Sequence, residues 1–328
     1  MKILRLPLLL GAAVFGSSSL GAADESPRDV VRLGNLKFAH YAAVSYMKEL
    51  APKYNLEIKE QMFTKGLDIV PAIISGDIDI AASGLEGAIA GRASGAKAYI
   101  VAGFAKGGVR LVGRSDLNLK SVKDLKGRKV GVTRGGPQEL CLLAELAMAG
   151  LTWSDQPGKD VQLVYLSYPD LNQALQANQL DAISQSEPQS TQAIAKGFGT
   201  EIMKPYDTSI GEPIRALVMT EKMFNEKPDV ARRVLLCFTD ATQKLIADPT
   251  LAEKYVREVV FKNELSHDDY LAAVENARLT YDITPEHVQA TTDLMVKNGV
   301  AKLQNPPAAK DYVRLEPLQN AKQKLGIK

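Results

Sequence analysis

The sequence predicts an α/β protein, and three observations carry that reading. Short apolar runs that look like buried strands alternate with segments of helical spacing from Val30 to Thr220, the grammar of βαβ units and a mainly parallel sheet. From Glu221 to Lys328 the chain turns mostly helical. One unit is also echoed. Asp68-Ile69-Val70-Pro71-Ala72-Ile73-Ile74-Ser75-Gly76-Asp77-Ile78-Asp79 aligns without gaps on Asp170-Leu171-Asn172-Gln173-Ala174-Leu175-Gln176-Ala177-Asn178-Gln179-Leu180-Asp181, an offset of 102 residues. Either any αβ unit reads this way, or the chain holds two α/β lobes of similar design. The length, 328 residues, favours about two domains.

Val30 to Leu36 reads as a buried strand, and Ala42 to Lys53 as a helix with Val44, Met47 and Leu50 on one face. Strands follow at Asn55 to Phe63, Ile78 to Ala82 and Ala98 to Phe104, with short helices over Asp68 to Ser75 and Leu85 to Arg92. Gly76 stands where the first of these helices should stop. The middle segment repeats the pattern. Strands are expected at Val109 to Arg114, Lys129 to Thr133, Val161 to Leu166 and Asp181 to Ser184. Helices fall between and after them, at Pro137 to Ala149, Asp170 to Ala177 and Glu187 to Lys196. Ala216 to Thr220 returns as a strand. Helices then fill about 227–247, 249–261, 266–277, 284–298 and 316–325. Pro249 and Pro285 occupy first-turn positions behind Asp248 and Thr284 as capping residues.

Composition excludes several classes of function. Forty Lys and Arg against 38 Asp and Glu give a net charge of +2, so charge-driven nucleic-acid binding is not the leading idea. Two cysteines cannot staple a scaffold or make an all-thiolate zinc site, and three histidines leave little for metal chemistry. No metal or cofactor is expected. The N-terminus has a basic start at Lys2 and Arg5, an apolar run from Leu6 to Phe15, and small residues up to Ala22-Ala23. That is the layout of a secretory signal peptide cut after about Ala23. The apolar run is too short to span a bilayer, which takes ~20 residues. The mature chain is then formally neutral, exported and not inserted in the membrane. Cys141 and Cys237 sit on separate apolar helix faces, the usual place of buried free thiols; a bridge between them is the alternative.

Enzymatic signatures are mostly missing: there is no H-E-x-x-H, no P-loop, and no G-x-S-x-G after residue 23. The informative places are strand ends, because ligands of open parallel sheets bind beyond the carboxyl ends of the strands. Phe38 and His40 follow the first strand, Lys65 and Gly66 the second, and Ser83 and Gly84 the third. Thr133-Arg134-Gly135-Gly136-Pro137-Gln138 follows a middle strand, and Ser184 to Glu187 another. In the 133–138 stretch, two glycines and a proline bring bare amides to a helix start, where the dipole favours an anion. Arg134 adds a fork of donors for a carboxylate or sulfonate there. Ser83-Gly84 is a similar opening, Phe38 an apolar wall, His40 a ligand-facing ring, and Glu187 a partner for a ligand amine or N–H.

These residues add up to a family resemblance. The secretory start, Gly76-Asp77-Ile78-Asp79-Ile80-Ala81, Leu125-Lys126-Gly127-Arg128-Lys129-Val130-Gly131-Val132, and Asp181 through Glu187-Pro188 resemble the periplasmic solute-binding proteins of ABC transporters. The nearest branch is the nitrate/sulfonate/taurine group, related to binders of thiamine-pyrimidine precursors. The resemblance covers about 30–328. It implies a two-lobed periplasmic-binding-protein fold, each lobe a mainly parallel sheet flanked by helices, with the helical C-terminal part on the first lobe. Residues 24–107 plus 215–328 would form lobe I, and 108–214 lobe II. It further implies that Ser83-Gly84, Arg134-Gly135-Gly136 and Ser184 to Glu187 contact a ligand trapped between the lobes by hinge closure. The partners would be a small organic anion and an ABC permease with its ATPase subunits, the receptor itself acting as a monomer. A thiamine-pyrimidine or aromatic-carboxylate ligand is the alternative, and an exported enzyme using His40 or Glu187 a further one. The branch often carries Ser or Thr where Gly136-Pro137 stand, so one hydroxyl donor is absent here.

Overall fold

The computed structural model describes residues 27–327, so the expected signal peptide lies outside the described residues. Twelve strands form two six-stranded sheets flanked by helices. The first sheet takes β1 (Asp29–Leu36), β2 (Leu56–Phe63), β3 (Ile80–Gly84) and β4 (Ala98–Gly107). The second takes β5 (Val109–Arg114), β6 (Arg128–Val132), β7 (Trp153–Ser154), β8 (Val161–Tyr165), β9 (Ala182–Ser186) and β10 (Gly199–Met203). The chain then returns to the first sheet as β11 (Ile214–Thr220) and β12 (Ala277–Leu279). The orders are β12-β4-β11-β3-β1-β2 and β10-β5-β9-β6-β8-β7.

Most strands in each sheet point the same way. β2-β1-β3 and β7-β8-β6-β9 pair in parallel. The ladders turn antiparallel where a strand enters from the other lobe, β11 between β3 and β4 and β5 between β9 and β10, and at the edge strand β12 beside β4. A chain that crosses at the cleft must run away from it, against strands that end there. The short strands β7, β10 and β12 are absent from the sequence reading. Each lies at a sheet edge, where few residues are buried and the hydrophobic signal is weak.

The echoed segments are structural equivalents. Helices Ile69–Ser75 and Tyr168–Gln176 are followed by left-handed Gly76 (φ 78°) and Asn178 (φ 58°). Asp79 then accepts the Arg32 amide, and Asp181 the Lys129 amide, each at 2.9 Å. Their carbonyls accept the amides of Thr220 (2.9 Å) and Arg114 (2.8 Å), on the two strands that cross between lobes. One aspartate in each sheet therefore ties a parallel strand, β1 or β6, to the strand that enters from the other sheet.

The core is built as the periodicity requires. Val44 and Met47 are fully buried and pack in one cluster with Val31 and Leu33 of β1. Asp248 and Thr284 cap the helices Pro249–Lys254 and Pro285–Asn298, accepting from Leu251 N at 2.9 Å and His287 N at 3.2 Å. Cys141 and Cys237 are buried and unbridged. Among the described residues no helix is long and apolar enough to cross a membrane.

The chain passes from sheet to sheet twice. Gly107 and Gly108 make the first crossing, with φ of 76° and 72°. A side chain at Gly107 would stand 2.2 Å from the Asn276 carbonyl. Only glycine combines that backbone with that approach. Residues 204–213 make the second crossing.

Candidate functional site

The carboxyl ends of β1, β2, β3 and β6 open into a cleft between the two sheets. Leu36, Phe38, Gly66, Ser83, Gly84 and Gly87 line one side. Arg134, Gly135, Gly136, Pro137, Gln138 and Tyr168 line the other. His40, Tyr41, Ser186 and Arg215 close the inner end, toward the crossings. The lobes touch. The Phe38 ring meets the Tyr168 ring edge-on at 5.0 Å between centroids. A Cβ on Gly84 would lie 2.8 Å from Cδ of Pro137, and one on Gly135 2.7 Å from Cδ1 of Leu67. The space left is about 20 Å³, room for about one water molecule. This is the shut form of the cleft. Gly84→Ala is expected to prop it open. Solution scattering would then show less compaction on ligand addition than in the parent, whereas equal compaction would mean the Gly84–Pro137 contact does not limit closure.

Nine of the twelve residues marked by the sequence line the cleft: Phe38, His40, Gly66, Ser83, Gly84, Arg134, Gly135, Gly136 and Gln138. Three do not. Lys65 lies on the exposed rim, 3.6 Å from Asp68. Ser184 is fully buried, and its hydroxyl donates to the Gln138 carbonyl at 2.9 Å. β9 runs two residues further than its pattern suggests, so Ser186 reaches the cleft instead. Glu187 is buried behind the cleft with both oxygens engaged. One accepts from Asn276 Nδ2 (2.9 Å) and pairs with Arg110 (3.1 Å). The other accepts from the Thr191 hydroxyl at 2.8 Å.

The loop after β6 also differs from the expected anion cradle. The Gly135 amide donates to the carboxylate of Glu139 at 2.6 Å, so the helix supplies its own anion there. Arg134 turns outward. Its guanidinium lies 3.6 Å from the centroid of the Tyr165 ring and 3.4 Å from Asp155. Stacking on an aromatic face while the charge stays in water is the low-cost place for an arginine.

The buried cation of the cleft is Arg215, 1% exposed. Its guanidinium donates to the carbonyls of Gly107, Pro213 (3.2 Å) and Gly108 (3.3 Å). Among the described residues no carboxylate lies within ion-pair distance of it. The sequence signal is a single charge in the apolar run Ile214-Arg215-Ala216-Leu217-Val218-Met219. The strand-end rule passes over it because β11 starts, rather than ends, at the cleft. Tyr41 and Tyr168 were missed too, though Tyr168 follows β8 closely enough for the same rule to reach it. Burial pushes both phenols above the usual range, against the pull of Arg215.

Two further buried groups face Arg215. Burial and the nearby guanidinium hold the His40 imidazole well below its usual pKa, so it is neutral. Both its nitrogens lack a hydrogen-bond partner. Glu86, at the start of helix Leu85–Ala93, is 1% exposed and neither oxygen has a partner. Burial pushes its carboxyl up to about 7, opposed by its own backbone amide and by Arg215, with a small further push from Glu139. The described residues contain no cluster of His, Cys, Asp and Glu able to hold a metal. The site is a narrow cleft between two sheets and their flanking helices.

That is the layout of the periplasmic solute-binding proteins, and the comparisons agree. Residues 24–259 match the model of the NMT1-like family, and the chain belongs to that family. Its curated relatives are named as binding proteins, and by that kinship it is a solute-binding protein of the ABC-importer class. An ABC transporter periplasmic binding protein of Brachyspira hyodysenteriae is 24% identical over 274 residues, 78% of this chain and 75% of the relative. An aliphatic sulfonates-binding protein of Escherichia coli is 29% identical over 208 residues, 62% of each. The alkanesulfonate-binding protein SsuA from Xanthomonas axonopodis pv. citri, solved bound to MOPS, shares the fold. Its TM-score is 0.74 at 20% identity, over 88% of this chain and 99% of that one.

Proposed function

We propose that this chain is a periplasmic receptor that traps a small organic anion, a sulfonate or carboxylate, and delivers it to an ABC permease and its ATPase subunits. The carrying observation is Arg215: a buried guanidinium at the inner end of the cleft, hydrogen-bonded to neutral carbonyls and paired with no carboxylate among the described residues. A buried charge without a counter-charge is costly, and an incoming anion relieves that cost. The neutral His40 and a Glu86 that keeps its proton up to about pH 7 leave the positive charge uncompensated. Phe38, Tyr41 and Tyr168 supply apolar walls, which favours an aromatic carboxylate as the second reading. The lobes would be residues 24–107 with 215–328, and 108–214, closing about the two crossings. Residues 1–23 would be the export signal, in keeping with a family match that starts at residue 24. The receptor would act as a monomer.

A thermal-shift screen of the purified protein tests this reading. The panel holds alkanesulfonates, taurine, nitrate, bicarbonate, aromatic carboxylates, pyrimidines and amino acids. A ligand at about 100 times its Kd adds about 2.7 kcal/mol of stability. The expected result is a shift confined to one class of anion. A shift only with cations or neutral pyrimidines would sink the anion reading.

A further inference from the structure

Behind the cleft, one side chain of the first lobe is tied into the second. Asn276 ends the helix His267–Asn276 and leads into β12. It is buried at the junction of the two crossings. Its Nδ2 donates to Glu187 at 2.9 Å, across the lobe boundary. Its Oδ1 accepts from the hydroxyl of Tyr206, on the second crossing, at 2.5 Å. Its backbone carbonyl accepts the amide of Gly108, on the first crossing, at 2.7 Å. Glu187 is held in place by Arg110 at 3.1 Å and by the Thr191 hydroxyl at 2.8 Å. One asparagine thus joins the helical part of the first lobe, the second lobe and both connecting segments, without lining the cleft.

We infer that Asn276 is a positioning residue for closure: a latch that favours the shut form of the cleft without touching the ligand. The inference rests on the closing-receptor reading above. The geometry explains why an asparagine serves here. Its amide must donate to a carboxylate on one side and accept from a phenol on the other, which neither aspartate nor leucine of similar size can do. Parting Glu187 from Asn276 would leave a buried carboxylate short of a donor. That cost falls on the open form alone.

The test reads the distance between lobes directly. Nitroxide labels on Lys65→Cys and Asp155→Cys, both exposed and on opposite rims of the cleft, report closure by pulsed electron resonance in the full chain. The native thiols Cys141 and Cys237 are buried and stay unlabelled. Asn276→Ala removes the latch, and Tyr206→Phe removes one of its hydrogen bonds while keeping the ring. The parent is expected to hold a shut population without added ligand. Both variants are expected to move the shut-to-open ratio toward open, Asn276→Ala by about tenfold, the effect of one charge-assisted hydrogen bond. Distance distributions equal to the parent's in both variants overturn the latch. If Asn276→Ala does not fold, Tyr206→Phe decides alone. If the parent itself does not respond to an anion that stabilises it thermally, the closing-receptor reading fails as well. A parent that closes on that anion while both variants copy it overturns the latch only.

Discussion

Replacing Arg215 by alanine is expected to weaken binding of the anion found by thermal shift at least about 100-fold, roughly 3 kcal/mol. Charge-assisted hydrogen bonds in a water-poor site account for a loss of that size. The same change leaves the carbonyls of Gly107, Gly108 and Pro213 without their buried donor. An unpaired buried acceptor costs on the order of 1–3 kcal/mol, so the melting temperature should fall too. Arg215→Lys separates the two effects. The ammonium keeps the charge but lacks the planar fork that reaches three carbonyls. Affinity should return in part, while thermal stability stays low. Calorimetry reads the first quantity and thermal unfolding the second. An alanine variant that binds within threefold of the parent would remove Arg215 from the ligand site.

Glu86→Gln is expected to stabilise the protein above pH 7 and to leave it unchanged in acid. The carboxyl is raised by burial from 4.5 to about 7 in the folded chain. Below pH 4.5 it is protonated in both states and costs nothing. Between 4.5 and 7 the unfolded chain releases its proton while the folded one keeps it, so stability falls as pH rises. Above 7 the loss is complete, at most about 3 kcal/mol. Glutamine has no charge to bury and escapes this penalty. The groups that face Glu86 are Arg215 from β11, Glu139 and Cys141 from helix Pro137–Met148, and Tyr41 and Tyr168 from the two walls. Of these, Arg215 alone favours its ionised form. Above pH 7 an ionised Glu86 competes with the ligand for that cation, so anion affinity in the parent should fall as pH rises through 7 and stay level in Glu86→Gln. Denaturant melts at pH 5 and pH 8, with calorimetry at both, check the two parts. Parallel pH profiles for parent and variant would show that Glu86 does not titrate there.

How much of this was legible in the sequence depends on the scale. Periodicity placed the long strands and helices because buried faces repeat. It also exposed the likeness of Asp79 and Asp181, whose shared task is to accept an amide from a parallel strand of each sheet, β1 and β6. Caps at Asp248 and Thr284 were readable because they use local geometry. The strand-end rule found the neighbourhood of the cleft but not the direction of each side chain. A shift of two residues in β9 put Ser186 at the surface of the cleft and Ser184 beneath it. Arg134 was the obvious cation by position, yet a neighbouring aromatic ring, 31 residues away in sequence, turns it outward. Arg215 reaches the same cleft from a strand far along the chain. Pairings of that kind are set by topology and leave no local pattern.

The nearly filled cleft has a kinetic consequence. With Gly84 against Pro137 and Gly135 against Leu67, the two walls of the cleft stand close together in the shut form. A bound solute leaves only when the lobes part, and such hinge motions take microseconds to milliseconds. The dissociation rate then has a ceiling set by opening rather than by the contacts of any one ligand. Weak and tight ligands should differ in how often they are recaptured before the lobes separate fully. A partner that forces the lobes apart would speed release of every solute by the same route.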